Sequence, residues 1–256
     1  LISNKLPIGK YYMNHPYYSI GEGLVVHNQY KKYFLKNDIS NNHFITCKNQ
    51  IYVSADRNFL KKNEILNSGI YVNFKISGTK NNFIKQIRCV APNYFKKIYE
   101  DIMAKNVYEI NINTLQEQKP KKENAISLGN ELDPSNIPLS KIYWKRSLKE
   151  ITSARLISEE LGEIFLANDI GRIALNNYLY EDSIDYHVTT GNHQLGGTRM
   201  GDNPNDSVVD KNLKVHELEN LFISGSSTFR SGGHCHPTFT IVKLSLRLAD
   251  HIKKII

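Results

Sequence analysis

The chain has 256 residues, 40% of them hydrophobic and 23% charged, which is long and apolar enough for one large or two modest cores and excludes a disordered segment. Its 33 Lys and Arg against 25 Asp and Glu give a net charge of +8, but the lysines are scattered among Asn and Ile, so no nucleic-acid partner is expected. No run approaches the ~20 consecutive apolar residues of a membrane-spanning helix, and Leu1-Ile2-Ser3-Asn4-Lys5 lacks the charged and apolar regions of a secretion signal.

Cys47, Cys89 and Cys235 are odd in number and far apart, which argues against a disulfide framework or a structural zinc knot and for a reducing compartment. A cytoplasmic location is the expectation. The first residue is Leu, so the chain reads as a processed or truncated product.

Taken in order, Gly21-Glu22-Gly23 reads as a turn, since it precedes an apolar run and lacks the third glycine of a phosphate cradle. Residues Ile51 to Ser54 and Gly69 to Ile76 alternate with period two and are rich in aromatic and β-branched side chains, which predicts half-buried strands. Pro92 to Met103 repeats apolar residues at three and four, a helical pattern with proline near its start. The run Gln118-Lys119-Pro120-Lys121-Lys122 breaks the chain and reads as an exposed loop. Strands are expected at Ala125 to Leu128 and Lys141 to Lys145, separated by the turn Asp133-Pro134-Ser135-Asn136, then a helix over Ser153 to Ala167. Antiparallel strands followed by helices predict an α+β fold.

From Gly191 the composition changes, with four glycines and His193 inside Gly191 to Gly201. Such a stretch is kept where backbone must approach a ligand or another strand. Val208-Val209-Asp210 reads as a short strand and Leu221 to Ser227 as a buried strand ending in small residues, where open α/β sheets place ligands. A second glycine and histidine loop, Ser231 to Thr238, leads into a helix carried by Ile241, Leu244, Leu248, Ile252 and Ile255, with Pro237 suited to its first position. Its N-terminus would offer unpaired N–H groups beside His236.

The runs His193-Gln194-Leu195-Gly196-Gly197-Thr198-Arg199-Met200-Gly201, Ser207-Val208-Val209-Asp210 with Val215-His216, Asn220 to Ser227, and His236-Pro237-Thr238 with Ala249-Asp250-His251-Ile252 resemble, in order and spacing, the glucose-methanol-choline flavoprotein oxidoreductases in their bacterial sugar and alcohol dehydrogenase branch. Weaker likenesses at Ile8 to Pro16 and at Glu117-Gln118, Glu123-Asn124 and Asp133 extend this over most of the chain. The resemblance implies an FAD-dependent enzyme that moves hydride from the CH–OH group of an alcohol or sugar to flavin N5. It implies His193 as the base and His236 as its partner, with Gly225 and Ser226 near the flavin diphosphate and His236, Pro237 and Thr238 near its pyrimidine edge. It further implies a segment leaving the FAD domain over 1–17, a substrate-binding domain over 18–190 and a return to the FAD domain over 191–256. The sequence departs from the family twice. His236 stands where most members of the branch have asparagine, and no strand is followed by Gly-x-Gly-x-x-Gly, so a missing N-terminal FAD-binding segment is the expected partner.

Other readings stand beside this one. His193 could be a histidine bonded to backbone in a tight turn, and His236 a cap or surface residue. His234 is a rival to His236 by a slip of two. A metal held by His193, His234, Cys235 and His236 is not expected, because adjacent ligands seldom converge on one ion. His15, His27, His43, His187, His216 and His251 read as surface or core residues, and Tyr11-Tyr12 and Tyr17-Tyr18 as packing, although aromatic faces also suit sugar rings. A cofactor-free remnant that binds carbohydrate or a protein partner is the alternative function.

Overall fold

The computed structural model describes residues 5–26, 50–74, 107–181, 183 and 188–255. The expected helix over Pro92 to Met103 lies outside the described residues, as do Lys75 and Ile76 of the second expected strand. In chain order the strands are β1 (Lys10–Met13), β2 (Pro16–Val26), β3 (Gln50–Ser54), β4 (Ser68–Phe74), β5 (Val107–Gln116), β6 (Ala125–Leu132), β7 (Pro138–Tyr143), β8 (Gly171–Leu175), β9 (Thr189–Thr190) and β10 (Leu195–Gly197). The helices are α1 (Arg57–Lys62), α2 (Leu148–Ala167) and α3 (Thr238–Ile252). The fold is α+β.

The larger sheet is antiparallel in the order β3-β4-β5-β2-β8, with β9 added to the end of β2. Side chains alternate across it, and Tyr18, Ile20, Ile70, Val72, Ile110 and Ile112 face one way into a core closed by Ile151, Ala154, Ile157, Leu161 and Phe165 of α2. Helix α2 starts at Leu148, five residues before the expected Ser153, because Ser147 and Glu150 form a capping box: the Ser147 N–H donates to Glu150 Oε2 at 2.8 Å. Replacing Ile112 with alanine is expected to cost about 2–5 kcal/mol by urea denaturation. Replacing its neighbour Asn111, on the other face, is expected to cost well under that.

A second sheet, β10-β1-β6-β7, ties the glycine-rich loop to the start of the chain. Leu6, Val208, Val209, Leu213 and Val215 form a smaller core, with Leu244 and Leu248 of α3 packed on it. The opposite stripe of α3 is bare, with Phe239 74% and Leu246 63% exposed. No helix among the described residues is long and apolar enough to cross a membrane.

Four expectations are corrected. Gly21-Glu22-Gly23 is inside β2, not in a turn; a side chain at Gly21 would strike the Ala174 carbonyl of β8, so the glycines serve strand contact. Gln118 is buried inside the lysine-rich run, where its Oε1 accepts from the Asn14 N–H at 3.0 Å and from Trp144 Nε1–H at 2.7 Å. Leu221 to Ser227 is not a buried strand: Phe222 makes one bridge to Lys214, Leu221 is exposed, and residues Ser226–Thr228 form a 3-10 turn. Pro237 is the N-cap of α3, one residue before its first helical position.

Candidate active site

The site is built where β1 passes into β2. There Asn14 Oδ1 accepts the N–H of His15 at 2.8 Å, and the His15 carbonyl accepts the N–H of Gly191 at 2.7 Å. Pairing of β9 with β2 through Pro16 and Thr190 thus delivers His193 alongside His15. Gly191 permits this approach, since a Cβ there would lie 2.8 Å from Leu115 Cδ1 and 3.2 Å from His193 Nδ1. Gly232, from the second loop, presses on the other edge of the same ring, where a Cβ would stand 2.9 Å from His15 Nε2. The glycine-rich stretches are therefore kept, in part, for contact with a buried histidine.

Three imidazoles run in line from the interior to the surface. His15 Nε2 lies 3.3 Å from the Gly232 carbonyl, His15 Nδ1 lies 2.9 Å from His193 Nδ1, and His193 Nε2 lies 3.0 Å from His236 Nδ1. His236 Nε2 then meets Tyr71 Oη at 3.3 Å. His15 is fully buried, His193 half-buried and His236 exposed. Burial, and then the neighbouring His193, push the pKa of His15 down to about 4. Burial, and then His236, hold that of His193 below the free imidazole value. Both rings are neutral near pH 7.

The sheet face turned away from the core carries the other wall. Tyr52 and Tyr71 are paired across β3 and β4 with ring centroids 4.8 Å apart, and Tyr17 meets Tyr71 edge-on at 6.1 Å. The Tyr52 O–H donates to the His234 carbonyl at 2.9 Å and its ring stacks on that of His234, which turns the 231–236 loop so that His236, not His234, reaches His193. Glu117 pins the same loop, accepting the N–H of Gly233 at 3.3 Å and that of Asn67 at 3.0 Å.

All six residues expected at the site lie at this end of the molecule. His193 and His236, 43 residues apart in sequence, are in contact, and Ser226 Oγ donates to the carbonyl of Gln194 at 2.7 Å, which sets the Gly225–Ser226 turn beside His193. Pro237 and Thr238 open α3, whose first-turn N–H groups have no intrahelical partners. Gly225 has a positive φ of 121° and open space where a side chain would project. An unobstructed glycine turn, a helix N-terminus and two imidazoles fit the donor set that a flavin ring and its diphosphate require. The reading of the sequence missed His15, Tyr52, Tyr71 and the loop-pinning contacts of Glu117. His216, bonded to Ser207 Oγ at 2.9 Å, and His251, edge-on to Phe222, lie elsewhere; His27, His43 and His187 are outside the described residues.

Residues 120–245 match the family model of the GMC oxidoreductases. The chain is 32% identical over 158 residues to the fructose dehydrogenase large subunit of Gluconobacter japonicus, covering 61% of this chain and 27% of that protein. It is 30% identical over 139 residues to the 2-methyl-1,2-propanediol dehydrogenase of Mycolicibacterium austroafricanum, covering 54% of this chain and 24% of that protein. The chain spans about a quarter of the length of these curated relatives. Among solved structures, pyridoxine 4-oxidase from Mesorbium loti shares the fold, with a TM-score of 0.52 at 15% identity over 96% of this chain and 43% of that one.

Proposed function

We propose, from the premise that the chain belongs to the GMC oxidoreductase family through its C-terminal domain, that it forms the substrate-side part of an FAD-dependent oxidoreductase acting on the CH–OH group of a sugar or alcohol. The observation that carries this reading is the contact of His193 Nε2 with His236 Nδ1, 3.0 Å apart, at the mouth of the tyrosine-lined face. An alcohol hydroxyl keeps its proton far above neutral pH, so loss of hydride from its carbon requires that proton to be taken in step. The hydroxyl enters between the two rings and replaces their mutual hydrogen bond. His193, neutral because of its burial, accepts the proton at Nε2. His236 donates Nδ1–H to the same oxygen and fixes its position, while Tyr71 holds the His236 ring from behind.

FAD, when bound, supplies N5 as the hydride acceptor. On this chain Gly225, Ser226, Pro237 and Thr238 would hold it, and the N-terminus of α3 would favour negative charge on the ring by up to about 1–2 kcal/mol where partly buried. The rest of the dinucleotide site belongs to an upstream segment, for which the bare stripe of Phe239, Val242 and Leu246 is the docking face. In this layout residues 18–190 bind substrate and 191–256 complete the FAD domain. Tyr17, Tyr52 and Tyr71, with Asn113 registered opposite Tyr71, offer aromatic faces and an amide to a polyhydroxyl ring, which favours a sugar, as does the likeness to a fructose dehydrogenase.

The test is reduction of flavin in the full-length protein without air. Neutral sugars or polyols should bleach its yellow absorbance, and a flavin that stays oxidised across a panel of sugars and simple alcohols would overturn the reading.

A further inference from the structure

Resting on the reading of His193 as the base, we infer that His15 is a positioning residue that sets the tautomer of His193, so that Nε2 is the nitrogen left to take a proton. The order starts at the Gly232 carbonyl, which can only accept. At its 3.3 Å contact His15 Nε2 must therefore carry the hydrogen. A neutral imidazole has one N–H, so His15 Nδ1 is a lone pair. The 2.9 Å contact between the two Nδ1 atoms then places the hydrogen on His193. His193 Nε2 is thereby a lone pair facing the cleft, His236 Nδ1–H donates to it at 3.0 Å, and Tyr71 O–H donates to His236 Nε2 at 3.3 Å.

Every contact in this order joins one donor to one acceptor. The reverse order does not close. With the hydrogen of His193 on Nε2, its Nδ1 lone pair would face that of His15 at 2.9 Å, or His15 would surrender its bond to Gly232 and leave two acceptors together. Burying two facing lone pairs inside a protein is costly. His15 also stays neutral over the working pH range, with its pKa down at about 4, so it does not become a donor at both nitrogens. The geometry is held on all sides: Asn14 fixes the His15 backbone, Gly191 and Gly232 admit the ring, and no solvent reaches it.

Long-range proton–nitrogen spectra of histidine-labelled full-length protein read this order directly. His193 should show a pyrrole-type Nδ1 and a pyridine-type Nε2. His15→Leu, which removes the acceptor, should raise the Nε2–H form of His193 and slow flavin reduction by substrate about 10²-fold or more. His15→Asn, whose Oδ1 can stand where Nδ1 stood, should restore the Nδ1–H form and recover most of the rate. His193 protonated at Nε2 in the unsubstituted protein, or unchanged in His15→Leu, overturns the inference. The base assignment fails separately, if His193→Ala leaves flavin reduction undiminished while the nitrogen spectra keep the stated order.

Discussion

Replacing His193 with alanine in the full-length protein is expected to slow flavin reduction by substrate about 10²- to 10⁴-fold, the range that a positioned general base contributes. Replacing His236 with asparagine should cost only about tenfold, because an amide N–H can still donate to the substrate oxygen and a single hydrogen bond is worth about 1 kcal/mol. The two variants also separate in their pH profiles. The base works only when neutral, so the rate falls as pH drops through the pKa of His193. Burial and His236 hold that pKa below 6.5, which puts the acid limb below the free imidazole value. In His236→Asn the imidazole that, after burial, holds the His193 pKa down is gone, so the limb should move up. Stopped-flow traces across pH 5 to 8 measure both. Equal losses in the two variants, with no movement of the limb, would sink the division of labour between the rings.

The alternating strands, the last helix and the two histidine loops were legible because each carries a local pattern. Ile70 and Val72 against Tyr71 in β4 is a period of two, and Ile241, Leu244 and Leu248 is a helical stripe. Period shows that Tyr71 lies opposite the core, but not that His236 waits on that side. His15 had no such signal, as it lies 178 residues from His193 and meets it through the pairing of β9 with β2 and of β10 with β1. Gln118 was hidden by its lysine neighbours, since its burial depends on Asn14 and Trp144 arriving from two other segments. Leu221 to Ser227 shows the converse. Its apolar run suits a buried strand, yet the described residues supply it with one bridge partner.

His15 should also make the fold acid-sensitive. In the unfolded chain its ring takes a proton near pH 6.5, whereas in the folded chain protonation is deferred to about pH 4 by burial and by His193, with smaller contributions from His236 and His234. Between those values the unfolded state binds the extra proton. Stability is therefore intact above about pH 6.5 and is lost progressively as pH falls, by about 3 kcal/mol in total at pH 4. Other groups titrate in the same window, so the quantity to measure is the difference between the unsubstituted protein and His15→Asn. Urea midpoints at pH 7, 5.5 and 4 should converge, with the variant less stable at pH 7 because of its smaller side chain and losing about 3 kcal/mol less on acidification. Midpoints that fall in parallel would mean that His15 is charged in the folded state, and an imidazolium there would repel the very His193 N–H that its Nδ1 is inferred to accept.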